Sequence, residues 1–336
     1  FVMKQQNINN LVRLGELLSK TEQFNDIFEK AEQQNSWFTR ANVTFAFKSW
    51  SEALSKNNVQ QWLSQYQLPQ TTSPKKILII MAGNLPLVGF HDLLCVLVAG
   101  HKAIVKLSSD DGVLLPYLIK QMKAFAPEWA EAVAFTDDKV TEYDAVIATG
   151  SDNTARYFEY YFGKKPHIIR KNRHSVAVLT GEETPEELQD LGKDIFLYYG
   201  LGCRSVSKLF VPQGYDFDLL FQAIYPYKDI IEEQKYANNY DYNKAVYLMS
   251  LYKLLENGFL LLKEDEHYGS PIATLFYEYY TNKEALKKKL ATDREKIQCV
   301  VGHNFIDGEI PFGQTQTPKL WDYADGVNTL TFLLNL

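Results

Sequence analysis

The sequence predicts an α/β protein built from two parallel-sheet domains, and three observations carry that expectation. From residue 75 onward, short apolar runs alternate with helix-type segments, the βαβ rhythm of a parallel sheet covered by helices on both faces. The alternation starts afresh near Ser175. The 336 residues are enough for two separate cores.

In chain order, residues 4–66 have no proline and no strand-type alternation, and are rich in Gln, Asn, Glu, Leu and Phe. They read as several amphipathic helices, with Thr21 and Ser51 as N-cap candidates. The stretch 68–74 is a turn-rich link. Apolar runs at 77–81, 103–107, 132–135 and 145–148 read as strands, and 90–99, 114–125 and 153–162 as helices. In the second part, 176–179 reads as a strand. Thr184 is the expected N-cap of a helix carrying Glu186 and Glu187 in its first turn. A turn at Cys203 leads into a strand at 208–211. A helical stretch at 216–257, strands near 258–262 and 272–277, a helix at 283–291 and a strand at 297–301 complete the pattern.

Composition narrows the function. A formal net charge of −6 argues against nucleic acid, because phosphate binding needs a basic face. The local basic run Lys164, Lys165, Arg170, Lys171 and Arg173 reads as a solvated edge that could face a phosphate-bearing cofactor. Three cysteines, at 95, 203 and 299, have neither paired nor metal-type spacing, which suggests a reducing compartment and no disulfide framework. Six histidines without HxxxH spacing predict no metal site. No stretch approaches the roughly 20 apolar residues of a membrane span, and no signal-peptide pattern opens the sequence. A cytoplasmic location is expected.

Gly200-Leu201-Gly202-Cys203-Arg204 is the most informative segment. A thiol on a tight glycine turn is open to attack on a carbonyl, and turn N–H groups can face a developing oxyanion. A nearby arginine favours the thiolate. The plain alternative is a small buried thiol beside a structural turn. Three further features fall at strand ends, where open α/β sheets bind ligands. These are Asn84 in Gly83-Asn84-Leu85-Pro86, Lys106 in Val105-Lys106-Leu107-Ser108-Ser109, and Thr149-Gly150-Ser151 before a helix that would favour a pyrophosphate.

Taken together, these motifs resemble the aldehyde dehydrogenase superfamily, in which a PWNFP-like loop, a VVVKPS-like strand end, an FTGS turn and a catalytic cysteine follow in this order. The thioester-reducing branch, the LuxC-type acyl-CoA reductases, is the most similar, from about Lys76 to the C-terminus. The resemblance implies an aldehyde-dehydrogenase-like fold, with a Rossmann-type cofactor domain and an α/β catalytic domain. The implied organisation is a helical segment at 1–74, a dinucleotide-binding domain at 75–174, a catalytic domain at 175–305, and a return to the cofactor domain at 306–336. It implies Cys203 as nucleophile and Asn84 as the oxyanion donor, with Lys106, Ser108, Ser109, Thr149, Gly150, Ser151 and Glu266 toward the cofactor. Relatives that prefer NAD carry a glutamate where Ser109 stands. Its absence tilts the cofactor toward NADPH, with NADH left open.

Ile310-Pro311-Phe312-Gly313 resembles a late segment near the substrate mouth. Aldehyde-oxidising relatives place a glutamate base where Arg170 falls, and arginine cannot be a base at neutral pH. Transfer to or from a thiol is therefore expected over hydrolysis, with His174 as a candidate proton relay. The implied substrate is an acyl-CoA or acyl-carrier thioester, with a homodimer and an acyl-delivering enzyme as candidate partners. The alternatives are a non-acylating dehydrogenase, an acyl-phosphate reductase, a thioesterase or acyltransferase, and a non-catalytic scaffold.

Overall fold

The computed structural model describes residues 2–68 and 73–336, so most of the expected link at 68–74 lies outside the described residues. The chain forms two units, residues 1–172 with 318–336, and residues 173–317.

The first unit opens with helices α1 (Val2–Ser19), α2 (Asn25–Gln34), α3 (Arg40–Ala53) and α4 (Lys56–Ser64). Leu11, Leu14 and Leu18 make a fully buried stripe at helical spacing on α1. The rings of Phe24 and Phe28 meet Phe47 edge-on at 5.0 and 4.8 Å. The expected caps are corrected. Thr21 lies inside a 3₁₀ turn whose N-cap is Lys20, and Ser51 lies inside α3, whose start is capped by Thr39 accepting from the Asn42 N–H. A threonine or serine can cap only where the chain leaves extended backbone, as Thr39 does at ψ +153°, whereas Thr21 and Ser51 are already inside helical turns.

The elements β1 (Lys76–Ile80), α5 (Phe90–Val98), β2 (Lys102–Lys106), α6 (Leu114–Met122), α7 (Pro127–Glu131), β3 (Val133–Phe135), β4 (Ala145–Thr149), α8 (Asp152–Phe162) and β5 (His167–Arg170) follow. The strands form one parallel sheet in the order β3-β2-β1-β4-β5. The order reverses between β1 and β4, which creates a switch-point crevice at their carboxyl ends.

Strand β5 falls within the basic run read as a solvated edge. Arg170 is buried, and both of its terminal nitrogens reach Asp92 on α5, so it faces the core and not solvent. Burial alone would lower its pKa, but the Asp92 carboxylate outweighs that and raises it. On α8, Phe158 is buried, whereas Tyr157, Tyr160 and Tyr161 are exposed.

The second unit contains β6 (His174–Val178), α9 (Pro185–Phe196), β7 (Val206–Pro212), α10 (Phe217–Ile224), α11 (Gln234–Met249), β8 (Leu254–Glu256), β9 (Leu261–Glu264), β10 (Thr274–Tyr280), α12 (Lys283–Thr292) and β11 (Ile297–Val301). Thr184 caps α9 in a full capping box with Glu187, followed by Pro185. The sheet order is β11-β6-β7-β10-β9-β8, parallel except for the β8–β9 hairpin. That hairpin corrects the expected helical stretch to 257. Helix α11 ends at Met249, and Asn257-Gly258 makes the turn, with Gly258 at φ +91° and the Asn257 side chain accepting from Phe259 and Leu260 N–H groups. An Asn-Gly pair is a hairpin signal that outweighs helix propensity. The last helix, α13 (Thr329–Leu334), returns to the first unit, where Leu330 and Leu333 are fully buried.

Candidate active site

In the first unit, three loops leave the carboxyl ends of adjacent strands. Asn84 follows β1, Lys106 ends β2 with Ser108 and Ser109 after it, and Thr149-Gly150-Ser151 joins β4 to α8. Residue Ile80 pairs with Lys106 on one side and Ala148 on the other, so the sheet register brings these three segments to one edge.

Two glycines there are required by close approach. A Cβ on Gly83 would lie 2.4 Å from Ser108 Oγ, and one on Gly150 would lie 2.9 Å from the Thr154 side chain. The Asn84 side is exposed, and Leu87 just beyond it adopts φ +58°. The left-handed region costs a non-glycine residue roughly 1–2 kcal/mol. The buried Asp111 offsets this by accepting the Leu87 N–H at 3.0 Å. Burial pushes the Asp111 carboxyl up to about 7, against the lowering effect of that N–H. Gln34 and Asn35, at the end of α2, tie down the Ser109–Gly112 loop: the Gln34 amide donates to the Ser109 carbonyl at 2.7 Å and accepts the Gly112 N–H.

Lys106 Nζ donates to the Asp137 carbonyl at 3.2 Å, which leaves an ammonium two further donors. Ser151 caps α8 by accepting the Thr154 N–H at 3.3 Å. Asp152, in the first turn of α8, accepts the Asn172 N–H. The ammonium, the hydroxyls of Thr149 and Ser151, and the helix start form a donor set that fits an anionic, hydroxyl-bearing ligand. Among the described residues, no group of three His, Cys, Asp or Glu side chains could hold a metal. No helix among them is long and apolar enough to cross a membrane.

In the second unit, Cys203 is exposed while Cys95 and Cys299 are buried. It lies at the amino end of β7, not at a carboxyl end. Three successive residues before it are left-handed: Tyr198, Tyr199 and Gly200, at φ +54°, +56° and +75°. Such strain persists only where the surroundings over-determine it. Here the buried Ser175 hydroxyl donates to the Cys203 carbonyl at 2.8 Å. The Gln316 amide donates to Ser205 Oγ at 3.1 Å, and Arg204 reaches Cys299 Sγ at 3.5 Å.

Two contacts bring the 266–269 segment to the same end of the sheet. Ser207 Oγ donates to the Tyr268 carbonyl at 2.6 Å, and a Cβ on Gly269 would meet the His174 ring at 2.5 Å. Glu266 is exposed on this loop. Asp265 anchors it: burial would raise its carboxyl, but Lys263 and His267 outweigh that and hold it at about 2. The buried Lys208, its pKa lowered by burial and partly restored by Glu278, donates to the Asp265 carbonyl at 2.7 Å. Phe312 of the late segment is buried in the second core. In the 216–257 stretch, Asp218, Phe221, Gln222, Tyr225 and Asn257 line an open cleft of about 460 Å³.

The cysteine turn and Glu266 thus share one unit, and Asn84, Lys106, Ser108, Ser109, Thr149, Gly150 and Ser151 share the other. The sequence reading missed Ser175, Gln316 and Asp111. Each meets its loop through a contact far along the chain or across a turn, which no local spacing announces. The Asp111-Gly112 pair was the one available turn signal.

The family model described as acyl-CoA reductase (LuxC) matches residues 6–219, a span that includes Asn84, Lys106, Thr149-Gly150-Ser151 and Cys203. The chain belongs to the LuxC acyl-CoA reductase family. It is an aldehyde-acting oxidoreductase of that family. A comparison with curated proteins gives no match. Among solved structures, the chain is similar to an indole-3-acetaldehyde dehydrogenase from P. syringae in complex with NAD+ and IAA, at TM-score 0.64 and 11% identity over 90% of this chain and 72% of that one. It is also similar to the aldehyde dehydrogenase KauB from Pseudomonas aeruginosa, at 0.63 and 12% over 90% and 72%. A third is aldehyde dehydrogenase 21 from Physcomitrella patens with succinate, at 0.63 and 13% over 89% and 73%. At such identities the likeness shows the fold, which is that of the aldehyde dehydrogenases.

Proposed function

We propose that this LuxC-family protein reduces an acyl thioester, an acyl-CoA or an acyl-carrier thioester with a fatty chain, to the aldehyde through an acyl-Cys203 intermediate. The observation that carries the reading is a single exposed thiol on a strained, pinned turn, within a chain whose family is that of acyl-CoA reductases. The Cys203 thiolate attacks the thioester carbonyl and expels the carrier thiolate, which takes up a proton. The C–S bond to the carrier breaks as the C–S bond to Cys203 forms. The chemistry a nicotinamide cofactor would supply when bound is the hydride that reduces the acyl carbon. The resulting thiohemiacetal collapses to aldehyde and returns the electron pair to Cys203.

Asn84 is assigned to the oxyanion, since a carboxamide donates without adding charge; such a donor is worth roughly 3–4 kcal/mol of barrier. Lys106, Thr149, Gly150 and Ser151 would hold the dinucleotide's ribose and phosphates. Ser108 is assigned to the cofactor as well, and Ser109, unlike a glutamate, would not repel a 2′-phosphate, which favours NADPH. Glu266 is assigned to the nicotinamide ribose. His174, beside Ser175 and against Gly269, is the candidate proton carrier. Arg170, locked on Asp92, offers no base for hydrolysing the acyl-enzyme, so release as aldehyde is favoured over release as acid.

The test compares wild type with Cys203→Ala in NADPH and NADH consumption over a panel of acyl-CoA thioesters. The expected outcome is aldehyde formation with NADPH that falls at least a thousandfold in the variant. Equal turnover by the variant, or none by wild type with either cofactor, would sink the reading.

A further inference from the structure

The Cys203 turn is held from its far side by a segment that carries no residue of the proposed chemistry. Residues 313–315 are fastened to α9 through Asp194, a carboxylate with no exposed surface. Its oxygens accept the Gly313 N–H at 2.7 Å, the Thr315 N–H at 3.0 Å and the Thr315 hydroxyl at 2.9 Å. Gly313 adopts φ +81°, and a Cβ there would lie 3.1 Å from the Asp190 side chain, so the segment must pass α9 at close range. The next side chain, Gln316, is buried, and its amide reaches Ser205, two residues beyond Cys203. On the near side, Ser175 holds the Cys203 carbonyl. Just ahead of both pinned residues stand the left-handed Tyr198, Tyr199 and Gly200, a conformation that relaxes when the restraints on the turn are removed.

We infer that Gln316, anchored by Asp194, is a positioning residue that holds the Cys203 thiol in its reactive presentation. The inference rests on the reading of Cys203 as nucleophile and adds a residue outside the expected motifs. Without the Gln316–Ser205 contact, the strained turn has one pin fewer, and Cys203 leaves the presented position without any change in its own side chain. A residue acting in this way changes the rate of thiol attack and leaves substrate affinity alone.

The experiment measures alkylation of native protein by iodoacetamide, followed by intact mass, with Cys203→Ala as background; Cys95 and Cys299 are buried, so the native signal reports Cys203. Gln316→Met removes the donor at similar volume, and Ser205→Ala removes the acceptor. Each is expected to slow alkylation at least fivefold, with the double variant no slower than the slower single one. Acylation by a long-chain acyl-CoA should lose kcat at a KM within twofold of wild type. Alkylation of Gln316→Met at or above the wild-type rate, with an unchanged melting temperature, overturns the inference. If Gln316→Met does not fold, Ser205→Ala decides the question in the same way. A wild type that is alkylated at Cys203 but acylated by no thioester refutes the reaction reading, while the alkylation rates still decide the positioning role.

Discussion

Leu87 beside Asn84, and Tyr198 and Tyr199 before Cys203, show the same device at two loops. Each loop carries left-handed non-glycine backbone, and each is restrained by buried polar side chains. Asp111 does this at a measurable cost. Its carboxyl, pushed up to about 7 by burial, ionises near 3.9 in the unfolded chain. Below that lower value both states are protonated and nothing is lost; above about 7 both are ionised and the full cost of burying the charge is present. Stability therefore falls as pH rises through this window. Asp111→Asn keeps an acceptor for Leu87 and cannot ionise. Relative to this variant, wild type is expected to lose roughly 3 kcal/mol between pH 5 and pH 8, read from urea unfolding at each pH. A constant difference across that range would refute the assignment.

Among elements, the tie between β5 and α5 has most to say about stability. Arg170 and Asp92 form a buried ion pair, and Arg170 also donates to Thr329 Oγ1 on α13 at 3.1 Å. Removing one partner strands a charge in the core, so Asp92→Ala should destabilise by about 3–5 kcal/mol. Replacing both with apolar residues, as Asp92→Leu with Arg170→Met, should recover most of that loss. Denaturant midpoints of the three proteins test both expectations. The same pair shows where sequence reading stops. Strands β1, β2 and β4 were legible because their apolar runs are continuous, as strands buried on both faces require. Strand β5 was not, because an arginine in a basic run looks solvated until its partner, far back in the chain, is known. The cysteine turn was legible from its glycines. Its pins at Ser175 and Gln316 were not, because a single hydroxyl or amide has no periodicity.

At the scale of the whole chain, the first unit is interrupted and the second is continuous. The closing segment is well tied into the first unit. Leu320, Leu330 and Leu333 are buried there, Trp62 Nε1 donates to the Tyr323 hydroxyl at 2.7 Å, and a His101 ring nitrogen lies 2.9 Å from the Leu333 carbonyl. Ending the chain after Thr317 should therefore open the first unit to protease while residues 173–317 survive as a fragment. Equal protease resistance in the truncated and intact chains would refute this. The interruption also orders events on the ribosome. Residues 173–317 have been synthesised in full while the first unit still awaits its last helix, so the unit begun second can be completed first. For some seconds of synthesis, at roughly 5–20 residues per second, the first unit has all five strands of its sheet, the last ending at Arg170, but lacks the closing helix α13. A nascent chain paused there would carry the thiol proposed to react before the unit proposed to hold the dinucleotide is complete.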